Sequence, residues 1–169
     1  MKLWHVSDTD SIQRFEPRPP PRANPSITEP VVWAVSDERL PNYLLPRDCP
    51  RVAFAAAAKS SAEDTVHFFG ANPARYVIAI ESAWLERVTN AVLYAYSMPV
   101  ETFTCADETA GYFISRDAII PDAMEAIHCP IERINSLGIE LRILPELHNI
   151  ARAVSQSSLA FSCIRLKMR

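Results

Sequence analysis

Three β-rich runs, residues 91–98, 101–105 and 110–115, follow one another with links of only a few residues. That spacing limits the fold more than any other feature. A parallel crossover needs a dozen or more residues, so strands joined this closely pair antiparallel. Residues 2–7, alternating around Leu3, Trp4 and Val6, read as a first strand. Residues 30–35, 52–56, 75–80 and 139–144 have the same apolar, β-branched character. Helical signals are fewer. Ser60 or Ser61 caps a helix over 60–69 that Gly70 ends. Ser36-Asp37-Glu38 opens a turn that Pro41 restricts and Pro46 closes. A short amphipathic turn spans 82–88, and Pro130 opens a helix ending at Gly138. From Pro145 onward, Leu147, Ile150, Ala151, Val154 and Leu159 predict a closing helix. Its basic end, Arg165, Lys167 and Arg169, suits the helix dipole. Strands outnumber helices, which predicts an α+β fold with a mixed or antiparallel sheet and not a doubly wound parallel one. The expected core is Trp33, Phe54, Ile78, Ile80, Leu93 and Phe113.

Composition narrows the function. The 169 residues are 49% apolar, which suits a single domain, 1–169, with a real core. No composition shift marks a second domain. A net charge of −3 argues against a polyanion binder driven by bulk charge. The three glycines, Gly70, Gly111 and Gly138, are far apart, which removes Gly-rich phosphate loops of either kind. Fourteen prolines imply rigid loops, above all over residues 15–30 with Pro19-Pro20-Pro21. Residues 1–10 lack an apolar stretch, so no signal peptide is expected. The longest apolar run, residues 52–58, is far short of a membrane span. Cys49, Cys105, Cys129 and Cys163 form no CxxC, and the four histidines form no HExxH, so no metal site is expected. The cysteines read as reduced, mostly buried thiols of a cytoplasmic protein. His128-Cys129 is poor geometry for a catalytic pair, because strand neighbours point to opposite faces.

Several segments carry a family resemblance. Leu3-Trp4-His5-Val6-Ser7 resembles the first-strand motif of the ADP-ribosyltransferase-like fold. Val32-Trp33-Ala34, with Tyr43 ten residues after Trp33, resembles its second motif, a strand leading into a short helix with a tyrosine. Residues 107–115 are similar to the late strand, which in that family carries Glu before Tyr. Ile119-Ile120-Pro121 is similar to the final strands. Nearly the whole chain also resembles an uncharacterised bacterial domain-of-unknown-function family, through Leu45-Pro46-Arg47-Asp48-Cys49-Pro50-Arg51 and Phe161-Ser162-Cys163-Ile164-Arg165. The first resemblance implies a split sheet that binds NAD, as a substrate, without a Gly-rich loop. Two departures stand out. Val6 occupies the place where that family has Gly, and Gly111, not Glu, directly precedes Tyr112.

The resemblance assigns roles residue by residue. His5 would bond a ribose hydroxyl, and Val6 and Ser7 would offer backbone to the nicotinamide amide. Trp33 and Ala34 would line the cleft and Tyr43 would stack on the nicotinamide. Glu108, the nearest acid to Tyr112, would act with His5 as a catalytic residue and stabilise the oxocarbenium-like transition state. Arg14, Arg18 and Arg22 punctuate the proline-rich loop, and Arg18 is the candidate phosphate contact. Arg47 and Arg51 around Asp48 read as a structural charge knot. The implied ligand is NAD or a related phosphorylated nucleotide, with RNA or protein as acceptor and no membrane. The absence of Glu before Tyr112 favours a rival, a non-catalytic ligand-binding or protein-interaction module of the same fold.

Overall fold

The computed structural model describes residues 1–20 and 26–166. In chain order the elements are β1 (Leu3–Ser7), β2 (Val32–Ser36), β3 (Arg51–Ala55), α1 (Ala62–Phe69) and β4 (Tyr76–Glu81). Then come α2 (Leu85–Thr89), β5 (Leu93–Met98), β6 (Thr104–Asp107), β7 (Tyr112–Ser115) and β8 (Ala123–Ile127). The last are α3 (Pro130–Ser136), β9 (Glu140–Leu144), α4 (His148–Ser155) and β10 (Ala160–Ile164). The α+β class holds. The strands form two sheets, and all named pairings are antiparallel except β4 with β9.

The chain divides into two compact units. One combines Met1–Leu44 with Val92–His128, the other Leu45–Ala91 with Cys129–Arg169. Neither unit is one contiguous piece of sequence, so no boundary is legible in composition.

The first unit holds the six-stranded sheet, in the order β6-β7-β2-β1-β5-β8. Alternation puts Leu3, Val32, Ala34, Tyr96 and Met98 on one face, where they pack with Phe15 and Ile119. The Tyr96 hydroxyl donates to the Thr9 carbonyl (2.7 Å) and accepts from the Ile12 N–H (3.2 Å). A buried phenol thus finds its partners and ties down the segment after β1. The Trp4 indole N–H donates to Asp37. The second unit holds the order β10-β3-β4-β9. Val52, Phe54, Val77 and Ala79 pack there with Phe68 and Phe69 of α1 and Ala151 and Val154 of α4.

Three expectations need correction. The closing helix stops at Ser155, and residues 160–164 form β10 on the edge of β3. Ala160-Phe161-Ser162-Cys163-Ile164 gains a full antiparallel ladder there, which outweighs the helical spacing upstream. Arg165 therefore follows a strand and not a helix, while Lys167 and Arg169 lie outside the described residues. In the expected core, Phe54, Ile78, Ile80 and Leu93 are buried, but Trp33 and Phe113 are only half-buried. Of the four thiols only Cys49 is buried, and Cys105 and Cys129 are exposed.

Candidate functional site

The residues singled out on β1, His5, Val6 and Ser7, lie where the first sheet opens. β1 pairs with β5 along all five residues, Leu3 to Ser7. It pairs with β2 only at Leu3↔Ser36 and Trp4↔Val35. The two strands part beyond Trp4. The Asp37 N–H donates to the Lys2 carbonyl (3.2 Å), which fixes the phase of the ladder. Every second residue of β1 turns its backbone toward β2, and these are Lys2, Trp4 and Val6. Val6 would thus pair with Trp33 if the ladder continued. By the same alternation the Val6 N–H and C=O are directed to the opening, and the Trp33 carbonyl takes a different partner. The His5 Nδ1 lies 2.9 Å from it. A carbonyl only accepts, so Nδ1 carries the proton, and in the neutral ring Nε2 is the acceptor nitrogen. The imidazole also packs on Phe15, with ring centroids 4.7 Å apart.

The proline-rich segment borders the same opening. Phe15 forms a backbone bridge with Ile119, and Arg18 one with Val31, the residue before β2 begins. The exposed Arg18 is therefore anchored through its backbone beside Val31, at the N-terminal end of β2. Arg14 is ion-paired with Glu16 at 2.6 Å on the surface. Arg22 lies outside the described residues.

A family model matches residues 4–168. The chain belongs to DUF6886, a family of unknown function. That agrees with the near-full-length resemblance carried by residues 45–51 and 161–165. No curated protein and no solved structure matches the chain.

The remaining site residues of this DUF6886 chain lie elsewhere on the sheet. Trp33 and Tyr112 occupy the face opposite His5, their rings edge-on at 5.8 Å. Tyr43, on the 3-10 turn Leu40–Tyr43, donates its hydroxyl to that of Tyr112 at 2.6 Å. His5 and Tyr43 are thus not brought onto one wall. Ala34 shares the His5 face but is buried in the core. Among the described residues the buried Trp33 indole N–H has no hydrogen-bond partner, a costly state for a donor in an apolar setting.

Glu108 is exposed on the turn between β6 and β7, and its carbonyl accepts from the Gly111 N–H. The Gly111 carbonyl in turn accepts from the Ser36 N–H (3.0 Å). This anchors the turn at the paired end of β2, three residues or about 10 Å from the level of Val6. A Cβ at Gly111 would stand 2.5 Å from the Arg39 Cγ and 2.6 Å from the Ser36 Oγ. The backbone there has φ +65°. No acid fits at that position, which explains in steric terms why the residue before Tyr112 is glycine.

The second unit offers other features. An open groove of about 460 Å³ is lined by His67, Phe68, Arg142, Glu146 and Asn149 among others. Two of its polar side chains serve the fold. Arg142 donates to Glu140 and to the Phe68 carbonyl, and Glu146 accepts the first N–H groups of α4. The Arg47–Asp48–Arg51 knot takes a different form from the one expected. Arg51 is 2% exposed and donates to the carbonyls of Pro46 (3.2 Å) and Cys49 (2.7 Å), while Arg47 and Asp48 are exposed. Burial pushes the Cys49 thiol up to about 11, which makes it a poor nucleophile. Among the described residues no three His, Cys, Asp or Glu gather as a metal site, and no helix is long and apolar enough to cross a membrane.

Proposed function

We propose that the opening between β1 and β2 binds NAD or a related phosphorylated nucleotide, in the manner of the ADP-ribosyltransferase-like fold. One observation carries this reading: the β1–β2 ladder ends after Trp4, and strand alternation then aims the Val6 N–H and C=O at the gap. A primary carboxamide, such as that of nicotinamide, offers the matching acceptor and donor, as a missing strand would. Backbone recognition of this kind is indifferent to the Val6 side chain, so the replacement of Gly by Val does not abolish it. His5 takes over the Trp33 carbonyl at the point where the ladder ends, which supports its assignment to the ribose side of the ligand. Arg18 supplies a guanidinium for a phosphate at the open end of β2.

A second reading has its own support. Gly111 excludes an acid before Tyr112, and the turn that carries Glu108 is anchored at Ser36, about 10 Å along β2 from the level of Val6. Transfer of ADP-ribose to protein, or chemistry on an RNA phosphate, would need a carboxylate near the ribose. The geometry thus favours a module that binds the nucleotide without cleaving it. Differential scanning fluorimetry with NAD and with ADP-ribose tests the binding. A ligand that binds only the folded chain raises its melting temperature by mass action. His5→Ala should fold and lose most of the shift. No shift for wild type with either ligand overturns the assignment. Release of nicotinamide by wild type would overturn the non-catalytic reading, and loss of that release in Glu108→Gln would return Glu108 to the site.

A further inference from the structure

We infer that two copies of this chain join edge to edge through β10. Natural sheets guard their outer strands with charges, prolines or bulges, because an unpaired edge invites another strand. Three of the four sheet edges here are guarded in this way. β6 carries Asp107 and a register irregularity between Cys105 and Asp107. β8 carries Glu125 at its centre, and β9 carries the Glu140–Arg142 ion pair. β10, Ala160-Phe161-Ser162-Cys163-Ile164, has no charge, proline or glycine. Its only ladder among the described residues is with β3, and Phe161 is 46% exposed.

The phase of the ladders fixes which groups the edge presents. The Ala56 N–H donates to the Arg75 carbonyl at 2.9 Å, so Phe54 and Val52 exchange bonds with β4. Ala55, Ala53 and Arg51 then bond β10 through Ala160, Ser162 and Ile164. The N–H and C=O of Phe161 and Cys163 point away from β3. A two-fold axis through Ser162 sets Phe161 of one copy against Cys163 of the other, and all four outward groups of each copy find partners. Ser162 faces Ser162 in the central non-hydrogen-bonded pair, and Ala160 faces Ile164. No charge meets a like charge. The same operation on β8 would set Glu125 against Glu125. The occupant that fits this edge is therefore a second β10, which extends the four-stranded sheet to eight.

Sedimentation equilibrium of the full chain over a concentration series tests this. Wild type should fit a monomer–dimer equilibrium. Cys163→Pro removes an outward N–H and leaves the β3 ladder its donors, so it should raise the dimer dissociation constant about 10-fold or more. Phe161→Lys should do the same by placing an ammonium at the joint. Circular dichroism confirms that each variant is folded, and either folded variant suffices. Ser162→Cys, in a chain with Cys105 and Cys129 changed to serine, should form an interchain disulfide at position 162 on oxidation. The central pair sits at roughly 4.5 Å between Cα atoms, within disulfide range. A wild-type chain that stays monomeric overturns the proposal. So does a dimer that both folded variants leave intact, or one without a bridge at position 162.

Discussion

At the scale of single residues, His5 and Gly111 decide the most. His5 replaces a backbone partner with a side chain. Its Nδ1 occupies the Trp33 carbonyl that Val6 would otherwise bond, so the strands part without leaving that acceptor bare. The thermal-shift loss expected for His5→Ala follows from this place. Gly111 decides in the opposite sense, by what it keeps out. Gly111→Ala meets Arg39 and Ser36 at 2.5–2.6 Å and strains a backbone at φ +65°. Chemical denaturation should show a loss of about 2 kcal/mol or more. A variant as stable as wild type would mean that Arg39 moves aside freely, and the steric case against an acid at 111 would fail with it.

At the scale of elements, α1 shows local sequence rules at work. Ser61 accepts from the Asp64 N–H (3.1 Å), Glu63 and Asp64 stand in the first turn, and Gly70 follows the last residue. Ser61→Ala should cost about 1 kcal/mol by urea denaturation, the usual worth of such a cap. Asp64 does more than favour the helix start. It accepts from the hydroxyl and the N–H of Ser158 and so ties α1 to the approach to β10. Asp64→Asn should weaken this tie while leaving the Ser61 cap in place. Amide exchange should then accelerate over β10 and remain unchanged over β4, which lies on the far side of β3.

At the scale of the molecule, pH reads the second unit. The Glu140 carboxyl lies below its ordinary value, chiefly because Arg142 donates to it, with Asn72 assisting. Asp64 lies low chiefly because of the Ser158 hydroxyl. A carboxyl depressed by folding binds protons more readily in the unfolded chain. Its contribution is fully present above the ordinary carboxylate pKa and is lost as pH falls through the folded value. Urea midpoints should therefore fall as pH drops below about 4.5. Glu140→Gln should flatten that fall. An unchanged pH profile in the variant would show that the pair does not report on folding.

The strands and helices of this protein were legible mostly where the cause is local. The short link after β6 forced β6 and β7 into an antiparallel pair, whereas β5, equally close in sequence, pairs with β1 and β8 and not with β6. A serine cap and Gly70 bounded α1, Pro130 and Gly138 bounded α3, and the Trp4-His5-Val6 run placed β1. Local chemistry failed at β8 and β10. Ala123–Ile127 is a strand because β5 offers it an edge, and Ala160–Ile164 because β3 does. Neither edge is written in the segment itself. The candidate site divides the same way. That His5, Val6 and Ser7 share a strand follows from the sequence, and so does the lack of an acid before Tyr112. That β1 leaves β2 after Trp4, that Tyr43 reaches Tyr112 on the other face from His5, and that Glu108 sits at the paired end of β2 are matters of register. Register is set by pairing between segments about 30 to 80 residues apart in the chain. Only the tertiary structure could decide them.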